Sequence, residues 1–183
     1  MIRARGRPRK PNQNPVLDFR SVQDEAWYTV DKPVYCKPNS TLTVRFMDFP
    51  DKDEDEVFHV EDFKTAKELD EFVNRFRPAC VQLQDKECYD MRRGSYVCAL
   101  LEEGEEEQKF YNGVIESIER ELHTREGGEE ICSCIYVVGW LEGPRKNCTQ
   151  QMGLKRICKL QPGSPLFDPA LASFVKMART QLI

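Results

Sequence analysis

HTREGGEEICSCIYVVGW, residues 123–140, is the stretch on which the fold reading turns. It opens on His123, passes the Gly127-Gly128 pair, reaches Cys132-Ser133-Cys134 and runs on as a β-branched and aromatic segment to Trp140. Val, Ile, Tyr and Trp at such density fit a half-buried strand, and the glycine pair fits a turn ahead of it. Two similar segments precede it, Tyr96 to Leu101 and Phe110 to Ile118, joined by the acidic link 102–107. Three strands at this spacing predict a small curled sheet or barrel. The histidine then ends one strand, Cys-x-Cys starts the next, and Cys88 lies just ahead of the first, so four soft ligands converge at one end of the sheet. Cys88, His123, Cys132 and Cys134, with no open position, suit a closed structural zinc site. Cys98 competes with Cys88 for the fourth place; it lies within its strand, where a cysteine also serves as a small buried hydrophobe.

Working outward, residues 26–49 form a second strand cluster, with Trp27 to Val30 and Leu42 to Phe46 separated by Pro33, Pro38 and Asn39-Ser40. The acidic run 51–56 reads as a loop before a strand from Val57 to Val60. Between 62 and 76 the period changes: Phe63, Ala66, Leu69, Phe72, Val73 and Phe76 recur at steps of three and four, predicting an amphipathic helix that Pro78 closes. Leu154 to Leu160 adds a further strand, and Pro169 to Leu182 is a terminal helix with its proline in the first turn.

The 183 residues carry 27 Lys+Arg and 31 Asp+Glu, a net charge of −4. That near-neutrality hides a split. Arg3, Arg5, Arg7, Arg9 and Lys10 place five positive charges in the first ten residues, leaving 22 basic against 31 acidic residues and a body near −9. With 32% charged residues and a mean hydropathy of −0.61, the sequence has no run of about 20 apolar residues, so no membrane span is expected. The basic, proline-broken N-terminus is not a signal peptide. The eight cysteines are therefore expected as metal ligands or buried thiols rather than disulfides.

Residues 1–16 are expected to be a disordered arm. Within it, Arg5-Gly6-Arg7-Pro8 is slim and extended enough to lie along a narrow A·T-rich minor groove, which attracts inserted arginines. It resembles the AT-hook motif; a nuclear-import signal or a general polyanion-binding tail uses the same charges. Trp27-Tyr28 and Phe46-x-x-Phe49 place aromatics at a strand end and in the loop after it. Such rings either join the core or surround a methylated ammonium by cation–π attraction. Acidic loops at 51–56, 102–107 and 126–130 would complement a basic peptide. No glycine-rich phosphate loop or paired-carboxylate constellation is present. Cys132 or Cys134 as a nucleophile with His123 as base is less economical than ligation, so no enzyme is expected.

Asp24-Glu25-Ala26-Trp27-Tyr28, Val44 to Phe49, Glu87-Cys88, Gly94, Val97-Cys98, Phe110-Tyr111, His123, Cys132-Ser133-Cys134 and Arg156-Ile157-Cys158 together resemble the SAWADEE domain of plant chromatin proteins, over roughly 17–162. The resemblance implies a mainly β, tandem Tudor-like fold with an inserted helix. The first barrel would span about 24–86, the second, zinc-containing one about 87–162, and 163–183 would be a C-terminal helical tail. It implies a nuclear reader of methylated lysine on a histone tail, associated with RNA-directed DNA methylation and with silencing-complex proteins. The implied methyl-lysine cage is Tyr28, Phe46 and Phe49. Tyr96 or Val97 with Tyr111 would form a peptide subsite, and zinc would fall on Cys88, His123, Cys132 and Cys134. The family's Asp after the cage tyrosine, which helps read an unmodified lysine, is Thr29 here, with Asp18 or the loop acids as substitutes. Its Asp-Glu-Trp is Asp55-Glu56-Val57, its Gly-Asp is Gly94-Ser95, and no homeodomain is present. The other reading is a DNA-binding or scaffold protein whose barrels serve only as an interaction platform.

Overall fold

The structure is a computed structural model of the chain and describes residues 15–49, 51–103 and 107–182. In chain order the strands and helices are β1 (Leu17–Arg20), β2 (Trp27–Thr29), β3 (Val34–Cys36), β4 (Thr41–Val44), β5 (Glu56–His59), α1 (Ala66–Val73), β6 (Phe76–Pro78) and β7 (Val81–Gln82). There follow β8 (Tyr96–Glu103), β9 (Glu107–Glu119), β10 (Thr124–Glu126), β11 (Glu129–Ile131), β12 (Ile135–Trp140), β13 (Thr149–Gly153), β14 (Ile157–Lys159) and α2 (Pro169–Gln181). The architecture is mainly β, with one helix between the strand clusters and one after them, as the sequence predicts.

The long strand β9 organises the molecule. It pairs antiparallel with β8 from Tyr96↔Val114 to Glu103↔Glu107, and with β12 from Ile135↔Glu119 to Trp140↔Gly113. A bulge between Val137 and Val138 adds the twist that curls the sheet. β13 extends from β12, while β14 and then β7 extend from β8. Through the single pair Trp27↔Phe110, β9 also meets β2, which continues into β1 and β6. The two strand clusters thus share one sheet, and a separate antiparallel sheet, β3-β4-β5, belongs to the first. One core cluster runs through both, from Phe19 and Phe46 to Tyr136 and Trp140.

The helix read from 62–76 is shorter in the structure. Thr65 caps it, accepting from Glu68 N at 3.2 Å while the Glu68 carboxylate accepts from Thr65 N at 3.1 Å, a reciprocal cap that fixes where it starts. Leu69 and Phe72 supply its buried face, while Phe63 and Phe76 pack beside it from the flanking chain and from β6. In α2, Asp168 accepts from Leu171 N at 2.9 Å and Pro169 occupies the first turn. Leu171, Phe174, Val175 and Ala178 form its buried stripe, facing Tyr35, Phe63 and Phe72. The glycine pair read as a turn, with the acidic loop at 126–130, is the tip of a hairpin, β10-β11, because Gly127 and Gly128 take φ +58° and +85°, the backbone that a tight two-residue turn needs. The strand read from Cys132 begins at Ile135, and that read from Leu154 begins at Ile157 after a single 3₁₀ turn. No helix among the described residues is long and apolar enough to cross a membrane.

Candidate functional site

Three chain segments bring the Cys/His cluster together. Cys88 sits in the 3₁₀ segment Asp85–Asp90, whose start is fixed by Gln84 N donating to Glu87 Oε2 at 2.7 Å. His123 lies beyond β9, and Cys132 and Cys134 lie in the approach to β12, kept out of the ladder. The four ligand atoms all lie within 4.8 Å of one another. Cys98 is elsewhere, buried in its strand, so Cys88 takes the fourth place.

The surroundings fit a cation. Tyr136 Oη donates to Cys88 Sγ at 2.7 Å and Arg120 Nη1 at 3.1 Å; the same guanidinium ties down the Cys88 and Met91 carbonyls at 2.8 and 2.6 Å. Cys132 N donates to Asp85 Oδ1 at 2.8 Å. His123 places Nε2 3.4 Å from Cys134 Sγ and Nδ1 2.9 Å from Glu130 Oε1. That is the carboxylate–imidazole arrangement that orients a metal-binding histidine. The Tyr89 ring stacks over His123 at 4.6 Å, with its hydroxyl donating to Glu130 at 2.7 Å.

Ionisation follows this geometry. Burial opposes the Cys134 thiolate, yet hydrogen bonds from Glu121 N, His123 and the neighbouring thiols bring its thiol down to about 7. Cys132 is pushed up to about 12, first by burial and then by sharing space with Cys88 and Cys134. The Cys134 contact raises His123, and Glu130 adds to it. A cation deprotonates the thiols that coordinate it, so three sulfurs and an imidazole nitrogen within 4.8 Å of one another can hold a metal ion. Arg120 and Tyr136 are functional residues that the sequence reading misses; only the strand register, which puts Tyr136 opposite Ile118, brings them to the sulfurs.

At the other candidate site Tyr28, on β2, meets Phe46 and Phe49 in a tight turn that closes on itself, Phe49 N donating to Phe46 O at 3.2 Å. The turn is clipped to β2 by Met47 N to Thr29 O at 3.0 Å. Ring centroids are separated by 5.5 Å (Tyr28–Phe46), 5.6 Å (Tyr28–Phe49) and 6.3 Å (Phe46–Phe49), all edge-on. All three rings are buried, Phe46 at 1% exposure and Tyr28 and Phe49 at 7% and 8%. Tyr28 Oη donates to Asp24 Oδ2 at 2.6 Å, Tyr111 Oη approaches Asp24 O at 3.3 Å, and Lys109 Nζ lies 3.4 Å from Asp24 Oδ2. Asp24, four residues before Tyr28, is the anchor that the sequence reading left without a role.

The residues read as a peptide subsite do not share an accessible face. Tyr96 is 67% exposed, whereas Val97 and Tyr111 are buried, because neighbours on a strand point to opposite sides. Gly143, at φ +77°, closes over Tyr111, and a Cβ there would stand 2.7 Å from the ring. Asp18 is equally enclosed: it accepts from Thr29 Oγ1 at 3.0 Å and from Cys80 N at 2.9 Å. Burial raises its pKa, against the pull of Arg77. Of the acids at 51–56, Asp55 is bound bidentately by Arg45 at 2.9 and 2.6 Å. Glu56 is buried in β5, accepting from Ser21 Oγ and from Val22 N. Glu130, from the 126–130 acids, serves His123. The exposed Asp51, Asp53, Glu126 and Glu129 keep the outward charge. Arg5, Gly6, Arg7 and Pro8 lie outside the described residues.

A twisted β module with a Cys3His cluster at one end and an aromatic triad on the other strand cluster is the class these features define. The SAWADEE domain model matches residues 13–158, and the chain belongs to that family, one of chromatin readers and not of enzymes. Among solved structures, a selenium-substituted double mutant of the Arabidopsis thaliana SHH1 SAWADEE domain is 21% identical with a TM-score of 0.59, covering 83% of this chain and 100% of that one. The SHH1 SAWADEE domain in complex with an H3K9me3 peptide is likewise 21% identical, at TM-score 0.59, covering 82% and 100%. These likenesses establish a shared fold. No curated protein matches the chain.

Proposed function

We propose that the protein is a nuclear chromatin reader that holds a methylated lysine of a histone tail between Tyr28, Phe46 and Phe49. The observation that carries this reading is the mutual edge-on packing of three rings, of which Tyr28 and Phe49 keep a slight exposure of 7% and 8%, in a family one of whose members was crystallised with an H3K9me3 peptide. A methylated ammonium cannot satisfy a carboxylate as bare lysine does, but it gains from ring faces, about 0.5–2 kcal/mol each way depending on desolvation. The exposed acids would attract a basic tail and speed encounter.

Zinc on Cys88, His123, Cys132 and Cys134 is structural in this reading, holding β12 and the β10-β11 hairpin against the 3₁₀ segment of Cys88. With Asp18 satisfied internally and Thr29 in place of an acid, the reader would not select for an unmodified neighbouring lysine at that point. Residues 17–162 would act as one module, with barrels about 24–86 and 87–162 and a helical tail at 163–183. The Arg5-Gly6-Arg7-Pro8 arm would add a salt-sensitive contact to A·T-rich DNA, and tethering would combine the two weak contacts on one nucleosome. Silencing-complex proteins, in RNA-directed DNA methylation, are the expected associates.

Calorimetric titration of methylated and unmethylated histone-tail peptides into the wild type and Phe49→Leu tests the cage. Tighter binding of the methylated peptide, weakened in the variant, supports the reading. Equal binding of both peptides would leave a platform for other proteins instead.

A further inference from the structure

The turn that joins β1 to β2 carries Asp24, and both oxygens of its carboxylate are engaged. Oδ1 accepts from Ala26 N at 3.2 Å, the short loop by which an aspartate fixes its own backbone. Oδ2 accepts from Tyr28 Oη at 2.6 Å, inside the range of a hydroxyl bonded to an ionised carboxylate. The next residue, Glu25, takes φ +60°, a left-handed backbone that is uncommon outside glycine. Arg75 holds it there at 2.9 and 3.2 Å, and Arg20 at 3.2 Å. Ser21 closes the turn, its N donating to Ala26 O and its O accepting from Glu25 N, both at 3.0 Å. The turn thus aims Asp24 at β2 by its own bonds, without a ligand.

The second strand cluster grips the same residue. From β9, Lys109 Nζ lies 3.4 Å from Asp24 Oδ2 and Tyr111 Oη donates to Asp24 O at 3.3 Å. Lys109 and Tyr111 stand opposite Leu101 and Ala99 of β8, so the long ladder fixes their positions. Lys109 also balances the charge of Asp24. The carboxylate therefore makes its bonds within the protein, and the one that leads to the aromatic triad is the bond to Tyr28.

We infer that Asp24 sets the selectivity of the cage for methylated over unmodified lysine, and that it does so through Tyr28. The inference rests on the cage reading. The Tyr28 ring meets Phe46 and Phe49 edge-on at 5.5 and 5.6 Å, an arrangement that holds only while its plane is fixed. The bond to Asp24 fixes that plane and so lowers the ordering cost of binding. A phenol that donates to an anion also carries more negative charge on its ring, and a ring face attracts a cation through that charge. A methylated ammonium has lost N–H donors and depends on ring faces, whereas an unmodified lysine keeps its donors for water and acids. Asp24 is a positioning residue whose loss weakens binding of the methylated lysine more than of the unmodified one. A carboxylate that met the ligand directly would do the reverse.

The experiment titrates the H3K9me3 peptide and its unmodified counterpart into the full, zinc-loaded chain as wild type, Asp24→Asn, Tyr28→Phe and the double variant. Tyr28→Phe removes the same bond from its other end and leaves the turn untouched, so it decides even where Asp24→Asn fails to fold. Each single variant should lower the ratio of methylated to unmodified affinity about three- to tenfold. The double variant should be no worse than the weaker single one, because both changes remove one bond. A ratio that rises in Asp24→Asn would make Asp24 a direct reader of unmodified lysine, and losses that multiply in the double variant would separate it from Tyr28; either overturns the inference. If the wild type prefers the methylated peptide and the variants keep its ratio, this inference alone falls. If the wild type binds both peptides equally, the cage reading falls and the inference with it.

Discussion

The Cys/His cluster and the aromatic triad are built on opposite principles. In the first, four metal-ligating atoms converge within 4.8 Å of one another and burial pushes the Cys132 thiol up, so the protein alone leaves a donor set that a shared cation would complete. In the second, three rings already satisfy one another by packing, and Phe46 is as much a core residue as Leu42. A site that lacks a partner must gain folding energy from it, whereas a site made of core can be complete without its ligand. Metal should therefore decide whether the second strand cluster folds, and the peptide should change little in the first.

The largest effect that follows is loss of metal. Structural zinc in small domains is worth about 10–16 kcal/mol at neutral pH. Treatment with a strong chelator, or Cys134→Ser, is expected to lower the melting temperature sharply and release one zinc per chain by elemental analysis. An unchanged melt would break the contrast between the sites.

Next is Phe46→Ala, expected to cost about 3–5 kcal/mol in urea unfolding because a fully enclosed ring leaves a cavity. Phe49→Leu keeps more of the volume and should cost under about 1.5 kcal/mol while still weakening methylated-peptide binding. If both variants lost binding only in proportion to their stability, the triad would be core and nothing more.

Glu130→Gln keeps the shape at His123 but removes the carboxylate, and should lower metal affinity about 10–100-fold in competition with a chromophoric chelator. An unaltered affinity would mean that His123 is oriented by Tyr89 alone.

The smallest expected effect concerns Asp18. Burial raises its folded pKa, so the folded state holds this proton more tightly than the unfolded state does. Its contribution to stability is full below the unfolded value of about 3.9 and is lost as pH rises through the folded one. Asp18→Asn should flatten thermal stability between pH 3 and 7 relative to wild type; an identical pH profile would remove Asp18 from that balance.

The two sites also differ in how far the sequence discloses them. Cysteine and histidine are rare, and Cys88, His123, Cys132 and Cys134 stand out by type and by position relative to strands. Their supporting Arg120 and Tyr136 do not, because arginines and strand tyrosines are common and only register selects these two. Aromatic residues belong to cores everywhere, so Tyr28, Phe46 and Phe49 are distinguished by the resemblance and not by pattern. The same ambiguity explains Val97 and Tyr111, whose alternation along β8 and β9 is that of any buried face. The strand clusters and both helices are legible from period. What period cannot convey is β9's reach across both clusters through Trp27↔Phe110, since a one-residue pairing leaves no mark on hydropathy. Nor could the acidic run 51–56 reveal that Glu56 turns inward to Ser21, a contact 35 positions away.

Helix α2 packs Phe174 against Tyr35, Phe63 and Phe72 of the first strand cluster, yet it follows every strand in the chain. During synthesis the N-terminal half emerges first but waits for the last helix before its apolar side is sealed. A ribosome stalled after β14 would present that side open to chaperones, with those three rings as the point of capture.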